Sequence, residues 1–438
     1  VNTWQENKLV KSTYSLEQLV PYIRKHSNFY REHLQHLPTD TLTLKDLPPT
    51  SVANYWADSN DLDRWPVLTA EVSDGVVFKT GGSTGDGRLS VYTVNEWQTL
   101  VSTFGESISC QLKNGDRIAN LFFCGDLYAS FVFIHDALAH VKCSICEFPF
   151  TGQVSMDVLA DAIDRHRINV LVGVPAQLLQ LAAYLKAQKR VLSGVDTLLY
   201  GGESLFALQL YMLREVLPNV RIASIGYASV DAGLIGATSR DCALGEHRMF
   251  EPQTVLEIVD ELTGEVIEEC DRTGMLVVTN LTRQLMPLLR YPVGDLACWR
   301  EPSATPKRKF ALKGRSAHSQ RVRVGMFSLL IDEVLHMVRA VAGSDQWQLR
   351  IEQQGCKDIV SVKWVPCDKA ANTVAVSSAL YEALVAHYPA IEHLTQEGLL
   401  ELRVLACAVT ELKLHPRSGK QMRVLDLRIY DTPSPEYP

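Results

Sequence analysis

Between residues 116 and 225 the sequence alternates short apolar runs with amphipathic stretches, and this alternation limits the fold more than any other feature. "RIANLFF", "VKCSICEF", "INVLVGV", "DTLLYGG" and "RIASIGY" read as strands. The segments between them, "LYASFVFIHDALAH", "SMDVLADAIDRHR", "PAQLLQLAAYLKAQ" and "SLFALQLYMLREVLP", carry apolar residues at helical spacing. The helix of "PAQLLQLAAYLKAQ" opens on proline, which suits a first helical position. Strands alternating with helices of this length predict a mostly parallel sheet covered by helices. Ligands of such sheets sit beyond the carboxyl ends of the strands. That rule nominates three loops: Thr80–Arg88, Gly201–Ser204 and Gly226–Asp231.

The flanking texture differs. The opening "SLEQLVPYIRKHSNFYREHL" is an amphipathic helical region, and "LKDLPPTSVANYW" a proline-marked loop. Beyond Glu251, "TVLEIVDELTGEVIEE" and "TGMLVVTNL" read as strands joined by Thr-Gly turns. Beyond "KGRSAHSQ", strand and helix patterns form a compact α+β unit. The expected fold class is α/β: a large multi-subdomain N-terminal domain over 1–315, with mostly parallel sheets and a β-rich part. A small, mobile α+β C-terminal domain follows over 316–438, with a hinge near 314–320.

Composition removes several function classes. In 438 residues, 46% are hydrophobic and 21% charged, enough apolar material for a sizeable core. A net charge of −7 argues against nucleic acid as a partner. The longest apolar tract, 118–150, is interrupted by Asp126, His135, Asp136 and His140, so no membrane span is expected. No apolar leader is visible at the N-terminus, and the 10 cysteines show no disulfide framework. Reduced thiols and a cytoplasmic location are the expectation. Cys143 and Cys146 have CxxC spacing without a second pair at zinc-site distance, and read as buried-strand thiols.

The glycine loop carries chemistry. "VFKTGGSTGDGRLS" places Gly81, Gly82, Gly85 and Gly87 around Ser83, Thr84 and Asp86. Backbone N–H groups in such a loop can converge on an anion, with Ser83 and Thr84 adding hydroxyls. On its own the loop also fits a plain glycine hairpin between two strands. It contains Gly-x-Ser-x-Gly, which raises a serine hydrolase with Ser83 as nucleophile. A nucleophile elbow needs a helix directly after it, whereas the β-like "RLSVYT" follows. Neither a Walker A lysine nor a dinucleotide fingerprint is present.

The loop resembles the phosphate loop of the AMP-forming adenylate superfamily, which includes acyl- and aryl-CoA ligases. Further motifs recur in that family's order: "YGGES" at 200–204, "GYASVDAG" at 226–233, "LEIVDELTGEVIEE", "TNLTRQLMPLLRYPVGDLACW" at 279–299, "GRSAHSQRVRVGMF" and "HPRSGKQMRVLDLR" at 415–428. Together they resemble the phenylacetate–CoA ligase-like branch, as does the helical start. The resemblance implies activation of a carboxylic acid to an acyl-adenylate, with ATP and Mg²⁺ and release of pyrophosphate. The acyl group then passes to CoA, a carrier protein or an amine.

Carried over residue by residue, Lys420 is the adenylation lysine between carboxylate and α-phosphate. Gly82, Ser83, Thr84 and Gly85 grip the pyrophosphate end of ATP. Gly201, Gly202 and Glu203 line the adenine edge, with helix capping as the alternative for Glu203. Tyr227 stacks on adenine. Asp295 holds the ribose hydroxyls, and Arg315 reaches ribose or phosphate. Asp231 and Thr84 meet the metal. The branch implies an aromatic acid and a homodimer; Phe123, Tyr128 and Phe131 are candidate lining residues, although core packing explains them better.

The sequence departs from the family at defined places. Val230 stands where a Thr or Ser is usual, and Asp231 where a Glu is usual. Ala317 and His318 replace acidic hinge residues, and Met275 replaces a common Glu. These changes bear on metal geometry and on the domain rotation used for thioester formation. They motivate a second reading, a relative that binds nucleotide or acyl ligand without full turnover. The altered motifs also resemble adenylating enzymes of aromatic antibiotic pathways, such as phenazine biosynthesis.

Overall fold

The structure is a computed structural model and describes residues 13–38, 43–79, 88–125, 127–316, 321–325, 327–366, 372–414 and 422–430. Its first layer is the expected parallel sheet. Five strands lie in the order Ile145–Pro149, Asp116–Asn120, Val170–Gly173, Thr197–Tyr200, Arg221–Ser224, all parallel. The three inner strands run through Ile118, Val170 to Val172 and Leu198 to Leu199, all essentially without exposure, as a sheet covered on both faces requires. The chain reverses direction across the sheet between Asp116–Asn120 and Val170–Gly173, which opens a crevice beyond their carboxyl ends.

The helices cross between strands as the periodicity predicts: Ser130–Leu138, Met156–Arg165, Pro175–Ala187 and Ala207–Val216. Pro175 is the first residue of its helix, where a missing N–H costs nothing. Leu159, Ile163, Leu178, Leu181, Leu185 and Leu213 fill one apolar core on this sheet. Helix Val94–Ile108 packs on the other face, its start held by a capping box between Thr93 and Glu96.

A seven-stranded antiparallel sheet follows, in the order Thr254–Val259, Gly274–Asn280, Leu288–Trp299, Lys309–Arg315, Glu246–Met249, Gly233–Ala237, Tyr227–Ser229. This is the expected β-rich part. Asp260 closes one of its turns by accepting from the N–H groups of Leu262 and Thr263, with Gly264 in the left-handed region. The short strand Val76–Lys79 pairs antiparallel with Leu89–Tyr92 in a separate two-stranded sheet, so the glycine loop is framed by a hairpin and, against expectation, does not follow a strand of the parallel sheet. The loop itself, 80–87, lies outside the described residues. Strand Leu89–Tyr92 after it is the β-continuation expected, and gives Ser83 no helix of the kind a nucleophile elbow needs.

From Arg321 onward a smaller α+β unit forms. The hairpin Arg321–Val324 with Phe327–Leu330 leads into helix Ile331–Ala342. Four strands then lie in the order Leu400–Ala406, Lys357–Trp364, Trp347–Gln354, Val424–Asp426, flanked by helix Thr373–His387. Trp347, Trp364, Leu380 and Tyr388 anchor its core. No helix among the described residues is long and apolar enough to cross a membrane. Cys146 is exposed on the edge strand of the parallel sheet rather than buried, and Cys143 is half-buried before it.

Candidate functional site

One cavity of about 260 Å³ opens where the sheet rule places it. Phe122, Val174, Gly201 with Gly202, and Ile225 with Gly226 line it. Each follows the carboxyl end of a strand in the parallel sheet. The antiparallel sheet closes the other side with Tyr227, Asp231, His247, Asp295 and Arg315. Gly201, Gly202, Glu203, Tyr227, Asp231, Asp295 and Arg315, which the sequence nominated from four separate segments, thus line one space. Gly82, Ser83, Thr84, Gly85, Ala317, His318 and Lys420 lie outside the described residues.

The two glycines of "YGGES" are demanded by packing at Gly201 and by backbone conformation at Gly202. A Cβ on Gly201 would stand 2.8 Å from Ile225 Cγ2, and Gly202 has φ +83, the left-handed region. Glu203 follows them into the cavity. It does not cap the next helix, which begins only at Ala207 with Gln209 accepting from the Phe206 N–H. Burial pushes the Glu203 carboxyl up to about 8, with Arg323 at 4.0 Å pulling the other way.

Asp295 and Arg315 are register partners on adjacent antiparallel strands, and their side chains pair at 2.9 Å. The Tyr227 hydroxyl donates to the other Asp295 oxygen. Burial, with the Asp295 charge adding to it, holds the Tyr227 phenol well above its usual range, so it stays a donor. Asp231 is buried. Its Oδ1 accepts from Ser229 Oγ at 2.5 Å and from the Ala232 N–H at 3.0 Å, and its Oδ2 from Tyr291 at 3.3 Å. Among the described residues no group of three or more His, Cys, Asp or Glu is placed to hold a metal ion. A lone carboxylate fits a cation brought in by nucleotide phosphates, since Mg²⁺ is commonly held by one or two carboxylates plus phosphate oxygens.

Several lining residues escaped the sequence reading. Phe78, Trp97, Phe104, Phe122 and Phe133 form an aromatic end. Trp97, Leu100 and Phe104 are at i, i+3 and i+7 of one helix, a spacing that reads equally well as plain core. Of the three aromatics expected, Tyr128 lines the cavity. Phe123 and Phe131 do not: Phe123 packs against Gly152, and Phe131 stacks on His135. His247 is a further lining group. Burial pushes its imidazole down to about 4, so it is neutral near pH 7.

The smaller unit also contributes. Arg323 donates to the Tyr128 hydroxyl at 3.2 Å. Arg428 forks onto Asp426 at 2.9 and 2.7 Å, and Tyr430 donates to the same carboxylate at 2.6 Å. The Tyr430 ring lies against Gly314 and, edge-on, against Phe206. Arg323, Arg428 and Tyr430 all reach the cavity. The arrangement is a polar, arginine-bearing cleft joined to an aromatic chamber.

Residues 35–286, more than half of the chain, match the family described as AMP-binding enzyme. The chain belongs to that family. This AMP-binding enzyme is 23% identical over 392 residues to the phenylacetate-coenzyme A ligase of Pseudomonas putida, covering 83% of this chain and 82% of the relative. It is 28% identical over 231 residues to the indoleacetate–lysine synthetase of Pseudomonas savastanoi, covering 50% and 52%. Among solved structures, a 2-hydroxyisobutyryl-CoA ligase with 2-HIB-AMP and CoA in its thioesterification state aligns with a TM-score of 0.70. The identity is 16%, over 95% of this chain and 91% of that one. The fold of the AMP-binding enzyme is therefore that of the AMP-forming ligases, with a large and a small domain, and its class is that of the AMP-forming acid ligases that make acyl-adenylates.

Proposed function

We propose that this AMP-binding enzyme activates an aromatic carboxylic acid with ATP and passes the acyl group to a thiol or amine acceptor. The observation that carries the reading is that in one cavity the Asp295–Arg315 pair, the Gly201–Glu203 turn and Tyr227 adjoin the aromatic end formed by Phe78, Trp97, Phe104, Phe122 and Phe133. Asp295 would accept from the ribose hydroxyls. Tyr227 would pack on the adenine, against the backbone of Gly201 and Gly202. The acid's ring would lie among the phenylalanines, its carboxylate toward the cleft.

In the first step a carboxylate oxygen attacks the α-phosphorus, a P–O bond forms, and pyrophosphate leaves with the electrons of the broken bond. Two anions meet, so cations must offset the charge that accumulates. Lys420 would supply one at the reacting centre, Arg315 another near the ribose. Ser83 and Thr84 would hold the departing pyrophosphate. Mg²⁺ neutralises phosphate charge when bound, and Asp231 with Thr84 would hold it. In the second step the acceptor's sulfur or nitrogen attacks the acyl carbon and AMP leaves.

CoA is the acceptor named for phenylacetate relatives, and lysine for the indoleacetate relative, so both chemistries are carried forward along with a carrier-protein thiol. The small domain carrying Lys420 is assigned to 316–438, hinged near 314–320, with the enzyme acting in the cytoplasm as a homodimer. The second reading, ligand binding without full turnover, rests on Val230, whose side chain has no hydroxyl to offer a phosphate. Acid-dependent ATP–pyrophosphate exchange across aryl, phenazine-type and fatty acids separates the two. Exchange with an aromatic acid, lost in Lys420→Ala, is expected; AMP binding without exchange for any acid would favour the second reading.

A further inference from the structure

Arg283 is about 1% exposed and sits among backbone carbonyls. Nη1 donates to the carbonyl of Asp231, and Nη2 to the carbonyl of Val91. The guanidinium carbon stands 3.8 Å from the centroid of the Tyr92 ring, within cation–π range. The two segments that Arg283 joins are also joined directly. Ser90 Oγ donates to the Val230 carbonyl at 2.6 Å, and the Tyr92 hydroxyl donates to the same oxygen at 2.7 Å. Asn280 Nδ2 holds the next carbonyl but one, Ala232, at 2.8 Å. Arg283's own segment is fixed in turn, because Glu96 Oε1 accepts from the N–H groups of Gln284 at 2.7 Å and Leu285 at 2.9 Å.

These contacts connect two places with separate tasks. Ser90, Val91 and Tyr92 belong to the strand that leaves the glycine loop. Val230 and Asp231 line the cavity, and Tyr92 reaches it from the strand. A buried guanidinium is costly to desolvate, and its rigid planar fork sets Nη1 and Nη2 apart in fixed directions, here one to each carbonyl. We propose that Arg283 is a positioning residue that locks strand Leu89–Tyr92, which continues from the glycine loop in sequence, to the Val230–Asp231 turn, so that this strand and the Asp231 carboxylate share one frame. This rests on the functional reading above. It gives Val230 a defined place as well: its carbonyl is the point where the Ser90 and Tyr92 hydroxyls converge.

The test compares wild type, Arg283→Met, Arg283→Lys and the Ser90→Ala/Tyr92→Phe double variant. Acid-dependent pyrophosphate exchange gives separate KM values for ATP and acid, and thermal denaturation gives the Tm shift produced by AMP. Loss of a charged hydrogen bond corresponds to about a tenfold change. Arg283→Met should therefore raise the ATP KM about tenfold, leave the acid KM within about twofold, and shrink the AMP shift. Arg283→Lys should fall between, since an ammonium reaches one carbonyl in the fork's place. The double variant should move the same two readouts in the same direction. A lower Tm with unchanged ATP KM and AMP shift would overturn the inference and leave Arg283 a core residue only. Should Arg283→Met not fold, the double variant decides. If wild type binds AMP yet exchanges with no acid, the functional reading fails, while the AMP shifts of the variants still decide the role of Arg283.

Discussion

Nη1 of Arg315 lies 2.9 Å from Oδ1 of Asp295, across two antiparallel strands on which the two residues are register partners. The backbone register places the pair, and their half-enclosed position at the cavity makes it matter. Asp295→Asn keeps the shape, weakens the acceptor for Tyr227, and leaves Arg315 without its carboxylate. The ATP KM should rise at least about tenfold while the acid KM changes little. Equal changes in both constants would place Asp295 away from the nucleotide.

Phe133 packs on Phe104 with ring centroids 4.7 Å apart and on Trp97 at 6.0 Å, at the aromatic end. Phe133→Ala should enlarge that end. A destabilisation of about 2–3 kcal/mol is expected, below the cost at a fully buried site. Relative kcat/KM should move about tenfold toward bulkier aromatic acids. An unchanged acid ranking would show that the acid lies elsewhere.

Gly226 has φ +135, and a Cβ there would stand 2.8 Å from two carbons of the Phe104 ring. Gly226→Ala combines backbone strain with overpacking. Stability should fall by about 1–3 kcal/mol, and the acid KM should rise, because the displaced ring lines the cavity. Denaturant midpoints and acid titrations report the two effects separately. A gain in stability would contradict the geometry.

Glu203 provides a pH signature. Its folded-state value of about 8 is above the ordinary 4.5, so the folded form holds a proton that the unfolded chain has lost. Between roughly pH 4.5 and pH 8 the native state binds more protons, and this carboxyl makes stability fall as pH rises. Glu203→Gln removes that dependence. Its Tm should gain on wild type as pH goes from 5 to 8, with the difference level above pH 8. A constant offset across this range would show Glu203 ionised in the fold.

The parallel sheet, its helices and two of the three nominated loops, Gly201–Ser204 and the one opening at Gly226, were legible because burial on both faces forces apolar strand runs, and helix periodicity marks the crossovers; the third, Thr80–Arg88, connects strands of a separate antiparallel pair, which strand-like runs alone do not distinguish. Gly201 and Gly202 were nominated for the adenine edge through the family resemblance alone, and the structure adds the physical reason: only glycine avoids the Ile225 contact at Gly201 or adopts φ +83 at Gly202 without strain. Glu203 was ambiguous in sequence, since an acid before a helix serves equally as a cap, and the structure resolves it by starting that helix at Ala207. Core packing, the preferred reading for Phe123, Tyr128 and Phe131, holds for Phe123 and Phe131 but not for Tyr128, because an aromatic beside a strand end gives no sign of which face it takes.

By itself, the sequence of this AMP-binding enzyme determined the order of elements and the motifs of its family, because periodicity and backbone demands are local. Only the tertiary structure decided the contacts between distant segments. Asp295 meets Arg315 through strand register, Arg323 and Arg428 enter the cavity from the smaller unit, and Arg283 binds carbonyls 52 and 192 residues away. Such contacts depend on where separate segments come to rest in space, which no local pattern encodes.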